Sequence, residues 1–192
     1  MGNAGAVAVS WLSNWDMAYP TYPLGHGWSG MMSLPRMLRL EGDRLVQSPP
    51  PMIGRYRGEK RCLSARLTDG RRCLEGLNAR HAELCLAADV SGAEELTISV
   101  MEDGDERVAL RWAVDTLTLD RSAAAYNGLG RLVPQLRMPL EAVDGRIEMT
   151  VYVDGCAIEV FAGGDTMSAL AFPPGGTAAG CPYRPAARPV WT

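Results

Sequence analysis

The chain offers little to metal or nucleic-acid chemistry. Only two histidines occur in 192 residues, His26 in a glycine-flanked loop and His81, and no metal-ligand spacing links them. Five cysteines (Cys62, Cys73, Cys85, Cys156, Cys181) are odd in number, widely spaced and without a Cys-x-x-Cys pair. That pattern points away from a zinc knuckle and from a disulfide framework. They read instead as buried thiols in a reducing compartment, so a cytoplasmic location is expected. There is no basic run, the net charge is −3 and the pI is about 5.4, so a nucleic-acid partner is not expected. The opening MGNAGAVAVSW lacks the basic and apolar regions of a signal peptide, and Ala6 stands where a myristoylation signal wants Ser or Thr. No apolar run reaches the roughly 18 residues of a spanning helix, and no membrane partner is expected. Gly-x-Ser-x-Gly is also missing, which leaves a Ser-His-Asp triad without a nucleophile motif. No metal and no cofactor is expected.

What is present is β-structure. Hydrophobic residues make up 47% and charged residues 21%, a globular balance. Alternation with a period of two recurs. In Glu83–Ala88 it sets Leu84, Leu86 and Ala88 on one face; in Glu95–Val100 it turns Leu96, Ile98 and Val100 inward and Glu95, Thr97 and Ser99 outward. After a loop at Glu102-Asp103-Gly104-Asp105 the pattern returns in Val108, Leu110 and Trp112, and again in Thr116–Asp120. Residues Ile147 to Phe161 read as a hairpin about a two-residue turn Asp154-Gly155. This register predicts Val153 opposite Cys156, Val151 opposite Ile158 and Met149 opposite Val160 on one face, with Glu159 on the other. Gly163-Gly164-Asp165 marks a further turn, into Thr166–Phe172, and Pro173-Pro174-Gly175-Gly176 ends the sheet. Several short strands separated by turn signals in roughly 130 residues imply an antiparallel β-sandwich.

The segment before it is of a different kind. Trp11 to Leu40 holds three of the five tryptophans, as a Trp-x-x-x-Trp pair (Trp11, Trp15), Tyr19-Pro20-Thr21, Gly27-Trp28-Ser29-Gly30-Met31-Met32 and Leu34-Pro35-Arg36. In order and spacing these motifs resemble the last propeller blade of glycoside hydrolase family 32, the invertases, levanases, inulinases and sucrose-6-phosphate hydrolases. Met37 replaces the glutamate that follows Leu-Pro-Arg in that family. Leu117–Ser122 is similar to its Leu-x-x-Asp-Arg-Ser strand end. Val151–Phe161 is similar to its Val-Asp-x-Ser-x-x-Glu-Val-Phe hairpin, with Cys156 in place of serine. The resemblance spans about residues 5 to 175 and implies an all-β chain: a C-terminal antiparallel β-sandwich preceded by a remnant of the last blade of a five-bladed β-propeller. The expected division is a blade remnant at 1–40, a Pro-rich junction at 41–51, the sandwich at 52–180 and a Pro-rich tail at 181–192.

A retaining glycosidase needs two carboxyl groups about 5 to 5.5 Å apart. In the family these lie in Asn-Asp-Pro-Asn and Glu-Cys motifs, with a third aspartate in Arg-Asp-Pro, and none of the three occurs here. No catalytic residue is therefore carried over. Asp154, in a turn, and Glu159, out on a strand, do not form an acid/base pair; Asp120-Arg121 reads as a local ion pair or turn cap, and Arg36 as a structural salt-bridge or carbonyl partner. By the resemblance Trp15, and less directly Trp11, bind substrate, an indole offering the C–H face of a sugar an apolar platform. The implied partner is a fructose-containing saccharide, beside a homo-oligomeric contact or a missing N-terminal propeller. The implied reading is the C-terminal fragment of a β-fructofuranosidase, inactive alone. The alternative is a non-catalytic sandwich module that binds carbohydrate, makes a subunit contact or stabilises a separate propeller.

Overall fold

The computed structural model describes residues 5–13, 30–67, 72–73, 81–103, 105–124, 133–172 and 190–191. Trp15, Trp28, His26, the Tyr19-Pro20-Thr21 turn, Pro173–Gly176 and most of the Pro-rich tail lie outside them.

Thirteen strands form three antiparallel sheets among these residues. The first is small: β1 (Ala6–Ala8), β2 (Arg36–Glu41) and β3 (Arg44–Ser48), in that order. Gly42-Asp43 makes the β2–β3 turn, with Gly42 at a φ of 60°. The expected strand at Arg44–Gln47 thus pairs back onto β2 before Pro49-Pro50-Pro51 leads into a short 3-10 turn, Pro51–Tyr56. Proline has no N–H for a ladder, so the triple-proline run ends the sheet.

The other two sheets are β4 (Arg72–Cys73), β5 (His81–Asp89), β6 (Glu95–Asp103), β7 (Glu106–Ala113), β8 (Thr116–Asp120), β9 (Gln135–Pro139), β10 (Arg146–Asp154), β11 (Ala157–Ala162), β12 (Asp165–Leu170) and β13 (Val190–Trp191). One sheet runs β12-β11-β10-β5 and the other β4-β13-β6-β7-β8-β9. Their facing sides share one core, with Leu84, Leu86, Ile147, Met149, Val151, Ile158 and Val160 from the first, and Ile98, Val100, Val108, Leu110, Leu117 and Leu119 from the second. The period-two apolar positions of the sequence supply this core because successive side chains of a strand point to opposite faces. Trp112 is buried with them, its indole N–H bonded to the Leu140 carbonyl at 2.9 Å. The fold is the expected sandwich.

Two local readings need correction. The hairpin turn is Gly155-Cys156, not Asp154-Gly155, since Asp154 still pairs with Ala157 and Gly155 takes the first turn position at a φ of 59°. Val153 therefore faces Ile158, Val151 faces Val160 and Met149 faces Ala162. This slip of two residues preserves the faces, which is why the core pattern survives it. Ser99, expected outward, is buried, and its strand pairs with β13 through Val190.

Strand β11 is the feature that positions everything else. All six of its residues are buried, so both faces of the strand are covered. Ile158, Val160 and Ala162 face the sandwich core. Ala157, Glu159 and Phe161 lie on the opposite side, where Phe161 meets Tyr152 edge to face at 5.9 Å and Ala157 joins Cys156, Leu170 and Phe172 in a second cluster with Leu12 and Met31. The N-terminal sheet and its loop thus act as a third layer over the four-stranded sheet.

Candidate functional site

The candidate site is the N-terminal segment and the surface that holds it. Trp11 makes an isolated antiparallel bridge to Met32, flanked by Leu12 N–H to Met31 carbonyl at 2.8 Å and Ser33 N–H to Ser10 carbonyl at 2.7 Å. The Ser33 hydroxyl accepts from the Ser10 N–H at 2.9 Å and donates to the Leu34 carbonyl. Gly30 sits beside the indole at a φ of +83°, and a Cβ there would stand 2.9 Å from Trp11 Nε1. Only glycine satisfies both the backbone angle and the close approach. Trp11 itself is 45% exposed, held by its backbone with the ring at the surface. The structure describes Trp11 but not Trp15.

Below this rim lies a polar clamp. Glu159, with 3% of its side chain exposed, accepts a short hydrogen bond from the Leu34 N–H through Oε1. Its other oxygen accepts from the Ser168 hydroxyl at 2.9 Å and pairs with Arg36 at 3.4 Å. Arg36 in turn donates to Ser168 Oγ at 2.6 Å and approaches Gln47 at 3.4 Å. The Leu34-Pro35-Arg36 motif and the Glu159-Val160-Phe161 motif, 125 positions apart between Leu34 and Glu159, therefore meet. Proline at position 35 has no N–H, and the flanking Leu34 supplies the donor. A second attachment joins β3 to the β11–β12 turn, where the Gln47 N–H meets the Gly164 carbonyl at 2.8 Å and Arg44 reaches the Gly163 carbonyl and Asp165.

Arg36 is the structural partner expected of it. Both Glu159 oxygens are engaged in the clamp, while Asp154 stands at the exposed end of the hairpin, 2.5 Å from His81 Nδ1. The sequence reading named both motifs of the clamp without joining them. The signal was the strand AIEVFA, whose apolar residues fall on both parities, so that its one carboxylate had to be buried and paired.

Other polar groups are structural in their geometry. Asp120 caps its turn, accepting from the Ser122 N–H at 2.9 Å, the Ser122 hydroxyl at 2.7 Å and Gln135 at 2.8 Å. Burial pushes its carboxyl up, but these bonds outweigh it and hold the group below the usual aspartate range. The neighbouring Arg121 is buried and donates to the Leu170 carbonyl at 2.7 Å and the Val133 carbonyl at 3.0 Å, fastening β12 to the other sheet. On the outer face of β5, Arg57 forks onto Glu83, and the Tyr152 hydroxyl donates to Glu83 Oε1 at 2.8 Å. Burial, then the hydrogen bond to Glu83 and the Glu83 charge, raise the Tyr152 phenol well above its ordinary range. No group of three His, Cys, Asp or Glu residues that could hold a metal occurs among the described residues, and no described helix is long and apolar enough to cross a membrane.

Comparison with known proteins decides the relationship. The model of the glycosyl hydrolases family 32 C-terminal domain matches residues 54–182, and that of the family 32 N-terminal domain matches residues 2–49. The chain belongs to glycosyl hydrolase family 32. A levanase from Bacillus sp. (strain L7) is 28% identical over 175 residues, which are 84% of this family 32 chain and 19% of the levanase. Among solved structures, sucrose-6-phosphate hydrolase from Lactobacillus gasseri aligns with a TM-score of 0.73 at 16% identity, over 98% of this chain and 38% of that one. Exo-inulinase from Aspergillus awamori aligns with a TM-score of 0.68 at 20% identity, over 100% and 38%. These likenesses show a shared fold. The family 32 chain spans about a fifth of the levanase and under two fifths of these two structures. It is a C-terminal portion of the family architecture: the β-sandwich with a remnant of the last propeller blade before it.

Proposed function

We propose that the chain is the C-terminal part of a β-fructofuranosidase-like glycoside hydrolase, supplying the sandwich and the closing strands of the last blade to a propeller that carries the catalytic carboxylates. The parent reaction is retaining hydrolysis of terminal β-D-fructofuranosides such as sucrose, by double displacement through a fructosyl-enzyme ester. The chain's own contribution is positional. Trp11, and Trp15 four residues on, present indole faces to the sugar, and the segment that bears Trp11 is bridged to the loop anchored by Glu159.

The observation that carries this reading is the clamp. A buried ion pair and a second attachment at the β11–β12 turn fix the N-terminal sheet on the sandwich. That sheet is held in fixed register while leaving Val7 and Leu40 61% and 68% exposed, an apolar surface suited to a neighbouring blade. The missing Asn-Asp-Pro, Arg-Asp-Pro and Glu-Cys motifs support the same conclusion.

The test is twofold. Purified chain is assayed for glucose release from sucrose, and no turnover above background is expected. It is then titrated calorimetrically with fructose, sucrose and a short inulin oligomer, beside Trp15→Ala. Saturable binding that disappears in the variant supports the indole role. Sucrose turnover that survives purification and persists in Trp15→Ala overturns the proposal.

A further inference from the structure

The edges of the sandwich are not equivalent. In the six-stranded sheet, edge strand β9 has five residues and ends in Pro139, and edge strand β4 has two. In the four-stranded sheet, β12 is flanked by β9 and β3. Strand β5 is different. It runs nine residues without proline, glycine or lysine, keeps unbroken register with β10, and has β10 as its one strand partner among the described residues. Sheets ordinarily blunt such an edge with short length, proline, lysine or a bulge, because its unpaired N–H and C=O groups template another strand. The core is also unfinished here: Leu84, Leu86 and Ala88 are only half-buried, whereas Ile147, Met149 and Val151 on the adjacent strand are fully buried.

We propose that β5 pairs antiparallel with β5 of a second copy of this chain, about a two-fold axis at Cys85, joining two four-stranded sheets into one of eight strands. This interface does not depend on the fructosidase reading. The register follows from charge and face. Residues directly opposite must share a face, so the two-fold axis passes through a residue pair. Centred on Cys85, it sets His81 opposite Asp89 of the second copy, Glu83 opposite Ala87, and, on the inner face, Leu84 opposite Leu86 and Ala82 opposite Ala88. Centred on Leu86 it would set Glu83 against Asp89, and centred on Glu83 it would set two glutamates face to face; like charges directly opposite are destabilising. Centred on Leu84 it forfeits the His81–Asp89 pair. His81 contacts Asp154 through Nδ1, and Nε2 faces Asp89 of the second copy; with both ring nitrogens protonated the imidazolium donates to both carboxylates. Glu83 needs no new partner, since Arg57 and Tyr152 already hold it. The pairing closes over the half-buried leucines, and the isologous geometry is that of the commonest soluble oligomers.

Cys85 is an exposed free thiol on the proposed axis and gives the sharpest test. Opposed residues in an antiparallel pair have Cα atoms about 4.5 to 5.5 Å apart, inside the range of about 4.4 to 6.8 Å that a disulfide spans. Whole chain is examined by sedimentation velocity in reducing buffer, where the expected species has twice the 20.7 kDa mass of one chain. Cys85→Lys sets two ammonium groups face to face and is expected to give monomer that keeps the parent circular-dichroism spectrum, with a melt that no longer depends on chain concentration. Ala87→Lys, placed opposite Glu83, is expected to keep the dimer. Separately, oxidised glutathione is added. One Cys85 thiolate attacks it and releases a glutathione; the second Cys85 thiolate attacks that mixed disulfide and releases the other. A dimer band on non-reducing gels, lost in Cys85→Ser and kept in Cys62→Ser, supports the interface even where Cys85→Lys does not fold. A chain that stays monomeric and gives no Cys85 crosslink overturns it, as does a dimer that persists in folded Cys85→Lys.

Discussion

Glu159→Ala tests whether the clamp joins the N-terminal sheet to the sandwich. The substitution leaves the Arg36 guanidinium, only 13% exposed, with Ser168 but without its counter-charge, and removes the acceptor of the Leu34 N–H. Breaking one side of a buried ion pair costs about 3–5 kcal/mol, mostly from the charge left behind. For a chain of this length each kcal/mol moves the melting temperature by about 2–4 °C, so the fall should be roughly 6–20 °C. Glu159→Gln keeps an acceptor for Leu34 and loses the charge, and we expect a smaller loss of about 1.5–3 kcal/mol. Because Arg36 Nε is buried without a hydrogen-bond partner among the described residues, the ion pair is an imperfect one. The double variant Arg36→Met, Glu159→Leu removes the stranded charge but still leaves the Leu34 N–H without its acceptor, so it should recover part of the loss and stay about 1–3 kcal/mol below the parent. The assay is urea unfolding with hydrogen exchange read strand by strand. In Glu159→Ala the amides of β2 and β3 should lose protection while those of β7 and β8 keep theirs. A stability change under about 0.5 kcal/mol, with β2–β3 protection intact, would refute the reasoning.

Two further outcomes follow from other groups. The hydrogen bond from Arg57 holds the Glu83 carboxyl below its ordinary range against the opposing effect of burial, so its contribution is present above the unfolded-state value of about 4.3 and is lost as pH falls through the folded value. Glu83→Gln should flatten the acid limb of stability measured by urea midpoints, with a residual slope from Asp120; an unchanged limb would contradict the assignment. Gly30→Ala forces an L-residue to a φ of +83° against Trp11 Nε1, and a loss of about 1–3 kcal/mol with an altered near-ultraviolet tryptophan signal is expected. Parent-like stability and spectrum would remove Gly30 from the list of required glycines.

The sandwich was legible because burial on one face of a strand leaves a period of two in the residues. Leu84–Ala88, Val108–Trp112 and Thr116–Asp120 all carry it, and the hairpin faces survived a register slip of two. Ser99 was misjudged because alternation describes a strand wet along one whole side, and here Ser99 is buried while Glu95 on the same side is exposed. The clamp escaped for a related reason. A sequence displays which residues are apolar along one strand, but not that Leu34 and Glu159 come together across 125 positions. The motifs containing them were readable one by one through the family resemblance; their contact belongs to the third dimension. Trp11 is bridged to Met32 through its backbone and is 45% exposed, while Trp15 lies outside the described residues.

The double burial of β11 also sets an order of events during synthesis. Strands β1 to β3 are made before the sandwich, yet the surface they dock on includes Glu159 and Ser168 and does not exist until those residues have been made. At about 5–20 residues per second, Leu34 waits roughly 6–25 s for its acceptor. Throughout that interval Leu12 and Met31, which in the folded chain pack against Leu170 and Phe172, are in the open. The nascent chain therefore has a window in which chaperone capture competes with docking, and the length of that window is written in the spacing between two motifs.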